Sequence, residues 1–166
     1  MKPDDFIATY FGEAKQVENE SGIDMIAILA QAALESGWGV AAPRYNFFGV
    51  KALPPFTPEN SQLLITHEWA KVPNYPFPHI LSVMAKNGGY DYTIQDYFRA
   101  YASAHDGFSD HTKFFMQNSR YHCALQVKDD YRKFLPAVAA AGYATDPNYA
   151  TTILAVANTV NKVMFA

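Results

Sequence analysis

Apolar residues recur at helical spacing from the start of the chain. Phe6, Ile7, Tyr10, Phe11 and Ala14 form one stripe. The stripe predicts a helix over Pro3 to Glu20. Pro3, Asp4 and Asp5 occupy its first turn, where proline and acids are favoured, and Ser21-Gly22 ends it. The run Met25 to Leu34 is then apolar nearly all round, which predicts a central, buried helix from about Ile23 to Glu35. Ala30, Ala32 and Ala33 leave room for neighbouring helices to come close. Ser36-Gly37-Trp38-Gly39 stops this helix, because glycine just past the last turn favours a left-handed cap. A loop from Val40 to Phe48 follows. Pro54, Pro55 and Pro58 keep the next segment extended and irregular.

The pattern changes at residue 60. Gln62 to Trp69 is rich in β-formers and predicts a strand. After a loop of prolines and aromatics, Val72 to His79, Ile80 to Lys86 predicts a second strand. Asn87-Gly88-Gly89 is a hairpin turn signal, and Tyr90 to Tyr101 reads as a third strand, although Thr93 to Tyr101 also fits a helix. Residues 60–101 therefore predict a small antiparallel β-lobe. Helical patterning then returns. Asp106 to Gln117 carries Phe108, His111, Phe114 and Phe115 on one side, and Tyr121 to Val127 is short. Asp129 to Ala141 holds Pro136, expected to kink or divide it, with Gly142 as its cap. Asp146 is expected to cap the last helix, with Pro147 at its first position and an end near Val163. The pattern gives an α+β fold, and a single domain over 1–166.

Composition narrows the function classes. The chain has 166 residues, 49% hydrophobic and 17% charged, enough for a globular core. A net charge of −3 with no Lys/Arg run argues against nucleic acid as a partner. Aromatics make up 15%, which suits a core and also a groove that stacks sugars or bases. No apolar stretch approaches the roughly 20 residues of a membrane span. The start, Met1-Lys-Pro-Asp-Asp-Phe6, lacks the pattern of a signal peptide, so work outside the cytoplasm implies delivery by another route or trimming from a longer chain. The single cysteine, Cys123, excludes an intrachain disulfide and is expected to be a small buried residue on a short helix.

Two carboxylates are candidates for chemistry. Glu35 is delivered at the C-terminal end of an apolar helix, beside Trp38. Burial and the negative helix terminus both raise a carboxyl pKa there, and an acid kept protonated near neutral pH is what general-acid catalysis needs. Glu68 ends the first predicted strand. An acid at a helix end and another on a hairpin is a common way to build the carboxylate pair of a glycosidase. Other signals are decoys. His67-Glu68-Trp69-Ala70-Lys71 starts like a zinc motif but has lysine where the second histidine belongs. The five histidines show no metal-ligand spacing with Cys123, so no zinc site is expected. Trp38, Phe47, Phe48, Trp69, Tyr75, Tyr101 and Tyr143 lie in or beside loops, and those next to Gly or Pro are candidates for stacking sugars. Asn46 and Lys51 flank Gly49 and could hydrogen-bond a polar ligand, or serve only the turn.

Four stretches carry a resemblance: Ala33-Leu-Glu-Ser-Gly-Trp-Gly39, Asn46-Phe-Phe-Gly-Val-Lys51, Phe98-Arg-Ala-Tyr-Ala-Ser103 and Ala141-Gly-Tyr-Ala-Thr-Asp-Pro-Asn-Tyr-Ala150. In this order they resemble the motifs of the bacterial peptidoglycan N-acetylglucosaminidases of glycoside hydrolase family 73. The resemblance implies a lysozyme-like, mostly helical α-lobe with a small antiparallel β-lobe. It also implies cleavage of the β-1,4 bond between N-acetylglucosamine and N-acetylmuramic acid in peptidoglycan, with no cofactor. It makes Glu35 the general acid, matches Glu68 more loosely to a second glutamate and Tyr149 to a cleft tyrosine, and matches Trp38, Asn46, Phe48, Lys51 and Tyr143 to positions that shape the sugar groove. Glycan strands are the implied partner, in the periplasm, the cell wall or outside the cell. An immunity or delivery protein is not readable from the sequence. Two departures stand out: Ala52-Leu-Pro-Pro follows Lys51 where the family often has an acid, and Lys71 to Lys86 forms an unusual insert. Competing readings are a muramidase or lytic transglycosylase on the same fold, and a non-catalytic wall-binding module.

Overall fold

Helix α1 (Pro3–Ser21) buries Phe6, Ile7, Ala14 and Val17, whereas Phe11 of the predicted stripe faces solvent. Its C-terminus is closed by the Lys128 ammonium, which donates to the Ser21 carbonyl at 2.7 Å. Helix α2 (Met25–Ser36) is the buried centre: every residue from Ile26 to Ala33 is buried. Asp24 starts it. One carboxylate oxygen accepts from the Ile26 amide at 2.8 Å, and the other accepts from the Tyr131 amide at 2.9 Å. A single side chain thus serves the first turns of two helices, and such a cap contributes about 1 kcal/mol at each.

The computed structural model describes residues 1–165. Among these residues are six α-helices and three strands, in two compact units. One unit comprises Met1–Gly49 and Tyr101–Ala166, the other Val50–Ala100. The first unit holds α1, α2, α3 (Ala104–Gln117), α4 (His122–Leu125), α5 (Tyr131–Ala140) and α6 (Tyr149–Met164). Its core gathers around α2, with Phe47, Phe108, Phe115, Phe134, Leu135, Ile153 and Val160 fully buried. On α3 the buried positions are Ala104, Gly107, Phe108, His111, Thr112 and Phe115, while Phe114 points outward. Gly107 is required there, since a Cβ would sit 2.4 Å from the Tyr45 carbonyl oxygen.

Three local expectations are corrected. Pro136 does not divide α5, which runs unbroken from Tyr131 to Ala140 because Tyr131, Phe134, Leu135 and Val138 anchor it in the core. The last helix starts at Tyr149, not at Pro147. Asp146 closes a turn of its own by accepting from the Asn148 amide at 2.8 Å, so Asn148 takes the cap position. Cys123 is exposed rather than buried.

In the second unit, β1 (Ser61–Ala70), β2 (Ile80–Lys86) and β3 (Gly89–Arg99) form an antiparallel sheet in the order β1-β3-β2. The third predicted segment is therefore a strand rather than a helix, ending at Arg99 instead of Tyr101. Register sets Glu68 opposite Tyr92 and Leu64 opposite Asp96, so Glu68 and Asp96 share one face of the sheet. Ala70, Tyr92 and Ile94 make a small core, closed by Phe77 and Tyr90. Residues 50–52 run beside β3 past the end of β2. The Arg99 amide donates to Val50, the Ala52 amide donates to Tyr97, both at 2.8 Å, and Lys51 pairs with Phe98.

Candidate active site

The end of α2 is built to present Glu35. Gly37 takes a left-handed φ of 58°, and Trp38 and Gly39 follow it at 58° and 79°. The chain therefore turns away directly after the carboxylate. The Trp38 amide donates to the Ala33 carbonyl at 2.8 Å and the Gly39 amide donates to the Ser36 hydroxyl at 2.8 Å, which closes the helix end. A tryptophan in this region is strained by about 1 kcal/mol. Its indole packs edge-on against Phe6 at 5.7 Å. Glu35 is exposed as a residue, not enclosed as the sequence suggests. Protein nevertheless crowds its carboxyl enough that desolvation holds it above the ordinary carboxylate range.

One turn before Glu35 lies Gln31, buried, whose side-chain amide donates to the Tyr149 hydroxyl at 3.2 Å. The Tyr149 oxygen accepts this bond and keeps its own proton to donate. Burial pushes the Tyr149 hydroxyl well above the tyrosine range. Gln31 opposes that shift, and the Glu35 charge adds to it. Tyr143 packs 5.4 Å from the Tyr149 ring and is raised by burial, with the Glu35 charge as second cause. Both phenols therefore stay protonated and feel the same carboxylate. The Tyr143 hydroxyl is hydrogen-bonded to His111 Nε2 at 3.0 Å. Burial lowers His111 to about 3, so the imidazole is neutral. It stacks on Phe48 at 3.6 Å and 7°.

Within the second unit, Glu68 is half-buried at the end of β1. The Lys51 ammonium donates to Glu68 at 2.9 Å and to Asp96 at 2.8 Å. It is held above the lysine range, first by Asp96 and then by Glu68, against desolvation.

Asn46 and Tyr101 lie in the first unit. Asn46 is buried, 3% exposed, which favours its turn-holding role. The Tyr101 hydroxyl donates to Asp110 at 2.7 Å, so that phenol is engaged within its own unit. Sequence reasoning gave no role to Gln31, His111 or Asp96. Two signals were available: Gln31 is the one amide in an apolar run, four residues before Glu35, and His111 is the one polar ring on the apolar stripe of α3. Asp96 had none, since it is one polar residue among several on a half-exposed strand.

The family described as mannosyl-glycoprotein endo-beta-N-acetylglucosaminidase matches residues 12–162, nearly the whole chain and both units. The chain belongs to the glucosaminidase family. Membership makes it a glycoside hydrolase. Among curated members it is similar to the peptidoglycan hydrolase FlgJ of Salmonella typhimurium, 35% identical over 88% of this chain and 42% of that protein. It is also similar to the exo-glucosaminidase LytG of Bacillus subtilis, 28% identical over 91% of this chain and 49% of that protein. The chain thus spans less than half the length of these relatives. The solved glycoside hydrolase domain of the Salmonella FlgJ superposes with a TM-score of 0.76 at 29% identity, covering 99% of this chain and 92% of that one.

Proposed function

We propose that this glucosaminidase domain hydrolyses the β-1,4 bond between N-acetylglucosamine and N-acetylmuramic acid in peptidoglycan. Its place of action is the cell wall, in the periplasm or outside the cell. The observation that carries the reading is Glu35: a carboxyl at a helix C-terminus, held above its ordinary range by desolvation, in a chain of glucosaminidase ancestry. In this reading Glu35 protonates the leaving glycosidic oxygen. The oxocarbenium-like centre is then met in one of two ways. Glu68 takes a proton from water as the water adds to the anomeric carbon, or the substrate's 2-acetamido oxygen adds first and water opens the resulting ring. Tyr149, protonated and with its O–H still to give, suits a donor that orients substrate or water. Trp38, Phe48 and Tyr143 supply apolar surface for the sugar rings.

The test is loss of turbidity of purified peptidoglycan with the native chain and with Glu35→Gln, followed by mass spectrometry of the fragments. Native protein is expected to release N-acetylglucosamine reducing ends. Glu35→Gln is expected to lose at least ~100-fold, the scale of general-acid catalysis. New N-acetylmuramic acid ends or anhydro-sugars would overturn the bond assignment. Equal clearing by both proteins would move the acid elsewhere, and binding without any clearing would make the domain a wall-binding module.

A further inference from the structure

We propose that Lys51 and Asp96 are positioning residues for Glu68, a clamp that holds its carboxylate in one place; the proposal rests on the reading of Glu68 as the assisting carboxylate. All three residues lie in the second unit, and the geometry is local to it. Lys51 is fixed at its backbone. The hydrogen bonds of Val50 and Ala52 to β3 flank it on both sides, and it bridges to Phe98. Its ammonium has three donors. One is directed at Glu68 Oε1 and one at Asp96 Oδ2, at 2.9 and 2.8 Å.

Asp96 is itself anchored, because its Oδ1 accepts from the Tyr97 amide at 2.8 Å. Its side chain is also the less exposed of the two carboxylates, 18% against 30% for Glu68. A flexible lysine between two acids is normally a weak surface pair. Here the well-held acid fixes the ammonium, and the ammonium then orients the freer acid. The sheet register supplies the rest of the surroundings. On the face that carries Glu68, the other titratable side chains of the sheet are Asp96, Tyr90 and Tyr92. The Tyr92 hydroxyl is engaged with Val72 and Tyr75. Lys51 is thus shared between Glu68 and Asp96.

The two partners are not equivalent. Removing the ammonium takes away the donor that aims Glu68, whereas removing the Asp96 charge leaves that donor on a freer lysine stem. The experiment is kcat and KM on purified peptidoglycan, with thermal unfolding, for the native chain, Lys51→Met, Lys51→Arg, Asp96→Asn and Glu68→Gln. Lys51→Met is expected to lower kcat about tenfold with KM and Tm little changed, the cost of a loosely held group, and Lys51→Arg to restore it. Asp96→Asn is expected to give a smaller loss of the same kind. A purely structural role would move Tm together with the rate and would not be rescued by arginine. The clamp is refuted if Glu68→Gln abolishes activity while Lys51→Met and Asp96→Asn keep the native kcat. If Glu68→Gln keeps the full rate, the role of Glu68 itself falls, and the clamp with it.

Discussion

At the scale of single residues, the candidate site is a relay of side chains that fix one another. Phe48 stacks on His111, His111 meets the Tyr143 hydroxyl, Tyr143 packs on Tyr149, and Tyr149 accepts from Gln31, one turn before Glu35. The chain of contacts separates the roles of the titratable groups. In the proposed role Glu35 must be protonated, and desolvation raises its carboxyl, so the alkaline limb of kcat/KM is expected above the ordinary carboxylate range. Tyr149 keeps its proton across that range. Tyr149→Phe should therefore lower kcat by about 10–100-fold, the scale of one positioned donor, without moving the alkaline limb. A pH–rate profile of the variant reads both quantities. Full retained activity would make Tyr149 a support for Gln31 and nothing more.

At the scale of elements, what could be read was what local chemistry decides. The all-round apolar run of α2 and its glycine stop placed Glu35 at a helix end, and Asn87-Gly88 placed the hairpin. What could not be read depends on partners distant in sequence. Asp24 looks like an ordinary cap but also serves the first turn of α5, and the start of α6 moved because Asp146 makes a turn instead. The four family motifs singled out Glu35 and Tyr149 as candidates, while Asp96 lies in none of them and shows only as a partner of Lys51.

The insert from Lys71 to Lys86 shows the same limit. Its second half is β2, exposed on both faces, with Met84 65% exposed. Its first half looks like a free loop but is held by Tyr92. That hydroxyl donates to the Val72 carbonyl at 2.7 Å and accepts from the Tyr75 amide at 3.2 Å, and Phe77 packs on the ring at 5.0 Å. Tyr92→Phe keeps the ring and strands both backbone groups, at a cost of about 1–3 kcal/mol. Hydrogen exchange should show the amides of 72–79 released while β1 and β3 stay protected. Unchanged exchange in 72–79 would mean that packing of Phe77 alone holds the segment.

At the scale of the whole molecule, His111 ties activity conditions to stability. It is the one histidine in the core, 5% exposed, and its folded pKa lies near 3 against about 6.5 in the unfolded chain. The folded state therefore binds this proton more weakly than the unfolded state does. Its contribution is complete above about 6.5 and is lost progressively as pH falls toward 3, at up to about 1.4 kcal/mol per unit. Between pH 7.5 and 5.5 the loss comes to about 1.4 kcal/mol, and for a chain of this length each kcal/mol lowers Tm by roughly 2–4 °C. His105 works with the opposite sign, since its pairing with Glu20 raises it, but that pair is on the surface and contributes little. His111→Gln keeps a hydrogen-bonding group for Tyr143 and cannot titrate. Thermal unfolding at the two pH values should show the acid-induced fall in Tm reduced in the variant, whatever its absolute stability. An equal fall in both proteins would assign the acid sensitivity to other groups. The neutral imidazole would then be a packing surface for Phe48 and Tyr143, with no share in the acid response.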